Sequence, residues 1–156
     1  MDAPRFTRAS AADAGEILTL QRAAYLTEAQ LYGDPFLPPL VETLDDVAAA
    51  IAGTHVLVGA SGGRICATGR ARQDGATLRL GRFAVAPDLQ GRGLGSALVA
   101  ALEALAAPGT EQFELFTGAL SEPNLRLYER LGYKETHRGP GRPGIELVYL
   151  RKVRTT

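Results

Sequence analysis

The segment QGRGLGS, residues 90–96, bares its backbone at three glycines. It follows the strand-like run LRLGRFAVAPD and precedes an apolar run of helical period. Amides that open a helix have no intrahelical acceptors, and the helix dipole adds positive character there. A strand-to-helix turn of this composition can therefore seat a pyrophosphate on the N–H groups of Gly91, Arg92, Gly93, Leu94, Gly95 and Ser96. The Arg92 guanidinium either adds a charge-assisted contact or points into solvent. Glycine spacing by itself fits a structural turn equally well. Two familiar nucleotide loops do not fit: a P-loop needs Lys then Ser or Thr after its last glycine, where this chain has Ser96 and Ala97. The dinucleotide fingerprint needs G-x-G-x-x-G, and the chain reads G-x-G-x-G.

Two further groups of residues can do chemistry. Tyr128 lies in NLRLYERLGY, with a phenol that either donates a proton or completes a helical stripe with Leu125 and Leu131. The segment AYLTEAQLYGDPFLPPLVET carries the polar side chains Tyr25, Glu28, Tyr32, Asp34 and Glu42, of a kind that in loops is most often just solvated. Cys66 is alone, so it has neither a disulfide partner nor a metal-ligating companion, and no metal is expected.

These residues need elements to hold them. The 156 residues suit a single domain, 1–156, with one core. A strand over Arg5–Arg8 comes first; Ser10 with Asp13 then marks a helix start carrying Ile17, Leu20 and Ala24. Thr43 opens a second helix with Leu44, Val47, Ala48 and Ile51 on one face. Between them LYGDPFLPPL is too interrupted by proline for a helix. HVLVGA, RICATGRAR and ATLRLGRFAV predict an antiparallel meander, turning at Ser61–Gly63 and Gln73–Gly75. In its third strand the apolar parity slips between Leu78/Leu80 and Phe83/Val85; a β-bulge near Gly81–Phe83 explains this, as does burial of both faces. Leu94, Leu98, Leu102 and Leu105 predict a long helix ending at Pro108–Gly109. FELFTGA is a strand parallel to the previous one, NLRLYERLGY a short helix stopped by Gly132, and YKETHRG and IELVYL the closing strands.

Seventeen basic residues balance seventeen acidic ones, which argues against nucleic acid as the main partner. No run of about 18 apolar residues predicts a membrane span, and MDAPRFTRAS carries no apolar signal. A reducing cytoplasm is the expected setting. Fifteen of the basic residues are arginine, which fits a GC-rich bacterial gene; an AT-rich native gene overturns that expectation.

FAVAPDLQGRGLGSALV resembles the acetyl-CoA-binding motif of the GNAT superfamily of N-acetyltransferases, Q/R-x-x-G-x-G/A, with Gln90, Gly93 and Gly95 at its fixed positions. NLRLYERLGY is similar to the later helix of that family, and the order of elements agrees along nearly the whole chain. The resemblance implies an α/β (α+β) fold: a mixed, mostly antiparallel sheet, a splayed central strand pair and helices on both faces. It implies that Phe83, Ala84 and Val85 pair with the pantetheine arm of acetyl-CoA, that residues 91–96 hold its pyrophosphate, and that the Val85 N–H stabilises an oxyanion. Tyr128 becomes the acid for the departing sulfur. The position seven before it, where relatives carry asparagine, holds Ser121, so Asn124 is the expected cofactor contact. The segment between the first helices becomes the acceptor site. The implied activity is acetyl transfer to a small primary amine in a ternary complex; a protein or peptide amine, or a non-catalytic acyl-CoA sensor, stays open. A general base is not evident: Arg79 occupies the position of the glutamate found in relatives, leaving His55, or a water chain to solvent or Glu42. Lys134 and His137 belong to the opposite wall or to nothing. The loop HRGPGRPG either covers the site or mediates contacts in a homodimer.

Overall fold

Caps set the helices. The computed structural model describes residues 3–155; residues 1, 2 and 156 of the expected domain lie outside the described residues. The Asp13 carboxylate accepts the Ser10 N–H at 2.8 Å and opens a short 3-10 turn that runs into α1 (Ala14–Tyr32). Thr43 Oγ1 accepts the Asp46 N–H at 3.2 Å while the Asp46 carboxylate accepts the Thr43 N–H at 2.9 Å, starting α3 (Leu44–Gly53). Such a cap stabilises a helix by about 1 kcal/mol. The proline-rich segment is more helical than expected. α1 continues through Leu31 and Tyr32, and Pro38, which needs no N–H in a first turn, starts the one-turn α2 (Pro38–Val41).

The strands are β1 (Arg5–Arg8), β2 (His55–Ser61), β3 (Arg64–Asp74), β4 (Thr77–Val85), β5 (Gln112–Gly118), β6 (Lys134–Pro140) and β7 (Glu146–Val153). They form a seven-stranded sheet in the order β1-β2-β3-β4-β5-β7-β6. Only β4 and β5 run parallel, as the crossover through α4 (Leu94–Glu103) requires. That helix stops a turn before the expected Pro108–Gly109, because the Ala104 N–H is shared between the Ala100 and Leu102 carbonyls and the last turn tightens. Leu105, expected in its stripe, lies past the helix yet still packs on the core. α5 (Glu122–Arg130) precedes the β6–β7 hairpin.

Two apolar layers sandwich the sheet. α1 and α3 bury Ile17 and Val47 against Val56, Val58 and Cys66; α4 and α5 bury Leu98, Leu102 and Tyr128 against Leu78, Leu80 and Phe113. Cys66 is buried and its thiol donates to the Gly59 carbonyl at 3.2 Å, a packing role.

The parity slip is a bulge. Arg70 pairs with Gly81 but Thr68 pairs with Ala84, so β4 carries one residue more than β3 over this step. Leu80 lies opposite Ala71 and Val85 opposite Ala67, and residues four apart on β3 share a face. The extra residue thus returns Phe83 and Val85 to the face of Leu78 and Leu80. Arg82 takes φ 53°, the one positive φ outside glycine among the described residues. Just before the bulge β4 leaves β5: the two pair only at Thr77–Gln112, Leu78–Phe113 and Arg79–Glu114, after which Phe116, Thr117 and Gly118 pair with β7 alone. A gap opens in the middle of the sheet.

Candidate active site

The gap is the floor of a cleft of about 820 Å³. Gly81–Val85 form one wall, Phe116–Gly118 the other, and the turn from Gln90 to Ser96 lies across its mouth. Gly91 and Gly93 hold φ of 76° and 78°, the left-handed region where a side chain costs about 1 kcal/mol or more. A Cβ on either would meet nothing within 4 Å, so the backbone faces open space. Gly95, in the first turn of α4, is bare for a different reason: its Cβ would come within 3.2 Å of Leu127 Cδ2, where α4 approaches α5. These amides and this bare backbone fit a diphosphate. Gln90 is occupied otherwise, its Nε2 donating to the Val85 carbonyl at 2.9 Å and tying the turn to β4. Arg92 is exposed and does not line the cleft.

The same region of β4 presents a donor. The Ala86 N–H bonds to the Cys66 carbonyl at 2.9 Å, continuing the β3–β4 register. In an antiparallel ladder alternate residues point their amides the other way, so Val85 directs its N–H away from β3 and into the gap. Across the gap stands Tyr128, 3% exposed, its ring 5.7 Å from that of Phe83 and 6.4 Å from that of Tyr133. Its hydroxyl has no hydrogen-bond partner among the described residues. Burial, with the nearby Tyr25 and the Glu28 carboxylate adding to it, pushes its phenol well above the usual range, so the proton is firmly held. Asn124 also lines the cleft and its Nδ2 donates to Thr117 Oγ1 at 3.3 Å.

At the deep end, Tyr25, Glu28 and Tyr32 come from α1. Ser121 Oγ donates to Glu28 Oε2 at 2.6 Å and lies 2.7 Å from the Tyr32 hydroxyl, which accepts the Leu120 N–H at 3.0 Å. Ser121 is 2% exposed, and its side chain does not cap α5; it ties α5 to α1. This role has no signal in the sequence, since the partners lie about 90 residues apart. Tyr32 packs directly on Gly118, where a Cβ would overlap its hydroxyl. Leu37 and Ile145 pack together with Ala29 and close this end against the β6–β7 hairpin.

Two expected acceptor residues sit elsewhere. Glu42 does not line the cleft; its carboxylate takes Arg70 in two bonds of 2.8 and 3.0 Å and Gln21 Nε2 at 2.7 Å. Burial pushes its pKa up, but those hydrogen bonds and the charges of Arg82 and Arg70 outweigh it and hold the group down at about 2. A carboxylate so occupied is a poor proton acceptor at neutral pH. Asp34 also lies off the cleft and is bound by Arg142, whose Nε donates at 2.5 Å, the hydrogen bond chiefly holding it below the usual carboxylate range. That ion pair pins the 141–145 connection between β6 and β7 to the end of α1, and Arg142 itself lines the cleft. His55 Nδ1 meets Arg8 Nη1 at 2.8 Å, and His137 stacks on Tyr149 at 4.4 Å; neither lines the cleft, nor does Lys134. Arg82, Arg130 and Arg142 line it without having been signalled by any motif. No cluster of three or more His, Cys, Asp or Glu able to hold a metal occurs among the described residues.

Comparison with known proteins agrees with this geometry. Residues 52–135 match the model of the acetyltransferase (GNAT) domain. A solved PaiA N-acetyltransferase from Thermoplasma acidophilum, in complex with coenzyme A, superposes with a TM-score of 0.85 at 13% identity, covering 99% of this chain and 100% of its own. The protein yncA from Salmonella typhimurium, with its cofactor acetyl-CoA, gives 0.77 at 22% identity, covering 98% and 94%. The ribosomal-protein-S18-alanine N-acetyltransferase from Escherichia coli gives 0.77 at 19%, covering 96% and 92%. A search of curated protein sequences returned no match.

Proposed function

The chain belongs to the GNAT acetyltransferase family, and from that premise we propose that it transfers an acetyl group from acetyl-CoA to the primary amine of a small molecule, by direct attack in a ternary complex. The observation that carries this reading is the divergence of β4 from β5 after Arg79 and Glu114, with the bare turn of Gly91 and Gly93 at the mouth of the gap. A thioester laid in that gap has its diphosphate on the amides of residues 91–96 and its pantetheine arm along Phe83, Ala84 and Val85.

The residues then divide the work. The Val85 N–H, aimed into the gap, stabilises the oxyanion that forms as the amine attacks the carbonyl. Tyr128 donates a hydrogen bond to the sulfur as it leaves as thiolate; a phenol that stays protonated and has no competing acceptor serves as hydrogen-bond donor and not as base. Glu28, one oxygen bonded to Ser121, faces the cleft and attracts and orients the ammonium of the acceptor, which releases a proton to solvent water before attack and a second as the amide forms. Positioning supplies much of the rate, since it makes the encounter effectively unimolecular.

A cleft of about 820 Å³, closed at its acceptor end by Leu37 and Ile145, supports a small acceptor over a protein chain. We place the protein in a reducing cytoplasm, supported by the unpaired thiol of Cys66; no helix among the described residues is long and apolar enough to cross a membrane. The proposal includes a homodimer, supported by the exposed Phe116 and Leu120, 55% and 58% accessible, and tested by sedimentation. Thiol release from acetyl-CoA over a panel of small amines and peptides tests the activity. Release that depends on a small amine is expected. Tight acetyl-CoA binding with no release from any acceptor would make the chain a sensor and overturn the proposal.

A further inference from the structure

At the acceptor end of the cleft one guanidinium has only a long, shared contact to a carboxylate. Glu42 is shared by two guanidiniums, and Arg70 has taken it, with bonds of 2.8 and 3.0 Å to its two oxygens. Arg82 reaches the same carboxylate only at 3.5 Å through Nη2, and its Nε is buried with no partner. A buried donor left unpaired carries a desolvation cost that a bound acceptor group would remove. The backbone points the same way. Arg82 is the bulge residue at φ 53°, a conformation that glycine adopts freely and arginine only under strain. The chain carries a strained residue with a long cationic side chain here, and the bulge makes that residue part of the cleft wall.

The other charge of this region is negative. Glu28 and Tyr25 line the cleft from α1 and Arg82 lines it from β4, so the cleft wall carries both signs of charge. Arg142, the other cation near this end, is already matched by Asp34 at 2.5 and 3.3 Å. Resting on the acetyltransferase reading, we propose that the acceptor is an amine that also carries a carboxylate, an amino-acid-like molecule whose acid group binds Arg82 while its amine lies toward Glu28. A guanidinium with free donors suits a carboxylate through paired, charge-assisted bonds. A simple alkylamine would leave the Arg82 Nε without an acceptor and be disfavoured.

The experiment compares matched acceptors that differ only in the carboxylate, phenylalanine against phenethylamine and methionine against 3-(methylthio)propylamine, with acetyl-CoA binding followed by calorimetry in parallel. The ratio of kcat/KM, acid over amine, is expected to exceed about tenfold in the native chain and to fall by about tenfold or more in Arg82→Gly. Glycine suits φ 53°, so this variant removes the side chain while relieving the backbone. Arg82→Lys recovers part of the ratio, because the charge returns without the fork. A ratio near or below one in the native chain, or a ratio unchanged in Arg82→Gly, overturns the inference while leaving the acetyltransferase reading intact. Binding of acetyl-CoA without transfer to any acceptor overturns that reading and this inference with it.

Discussion

Replacing Tyr128 by Phe removes one oxygen from the cleft and nothing else. The hydroxyl has no hydrogen-bond partner among the described residues, so no protein group is orphaned by its loss. The ring keeps its contacts with Phe83 and Tyr133, at 5.7 and 6.4 Å, and the residue is 3% exposed, so packing is preserved. Stability should therefore stay within about 0.5 kcal/mol of the native value. The chemistry should not. A hydrogen bond to a charged group contributes roughly 1.5–3 kcal/mol, and here it exists only as the sulfur acquires charge. At 1.36 kcal/mol per decade that is a fall in kcat of roughly ten- to 150-fold, with the dissociation constant for acetyl-CoA nearly unchanged. Steady-state thiol release, a calorimetric titration and a thermal melt on the same preparation separate the three quantities. An unchanged kcat refutes the assignment of Tyr128 as hydrogen-bond donor; a kcat that falls only together with the melting temperature refutes the claim that the ring alone supports the fold.

Three other substitutions probe the scaffold. Gly93→Ala places its Cβ in open space but must adopt φ 78°, and should lower stability by about 1–2 kcal/mol and acetyl-CoA affinity by about tenfold or more, read by melt and calorimetry. Gly118→Ala evicts the Tyr32 hydroxyl from its contacts with Ser121 and the Leu120 N–H, and should raise the KM of the acceptor more than that of acetyl-CoA. Glu42→Ala strips Arg70, Gln21 and Arg82 of their shared partner and should destabilise the fold by about 3 kcal/mol, a drop in Tm of roughly 6–12 °C. The carboxyl is held at about 2 against an ordinary 4.5, so its contribution is full above about pH 5 and disappears as pH falls toward 2. Native protein should thus lose on the order of 2 kcal/mol more than Glu42→Gln over that range, followed by melts at each pH.

What was legible in the sequence was whatever depends on neighbours along the chain. The capping boxes at Ser10 and Thr43, the meander and the turn at Gly91 and Gly93 are local, and the residues involved lie within a few positions of one another. Even the bulge left a trace, because an extra residue in β4 shifts the parity of Leu80 against Phe83. The proposed acceptor site was much less legible. Glu28 meets Ser121, and Asp34 meets Arg142, across the whole fold, and no spacing rule connects residues that far apart. Glu42 reads as one more loop carboxylate until Arg70 and Gln21 are seen to surround it. Arg82 hides for the opposite reason: an arginine in a polar, exposed-looking strand position is ordinary, and only its φ of 53° and its unpaired Nε set it apart.

The central claim is that the amides of residues 91–96 hold a diphosphate and thereby lay a thioester between β4 and β5. Calorimetric titration of the folded, ligand-free chain with acetyl-CoA, alongside S-acetylpantetheine, which has the thioester and the arm but no diphosphate, tests it most directly. Several charge-assisted hydrogen bonds separate the two, so acetyl-CoA should bind with one site per chain and at least about 100-fold more tightly. Equal affinity for the two, or no heat with acetyl-CoA, would contradict the account.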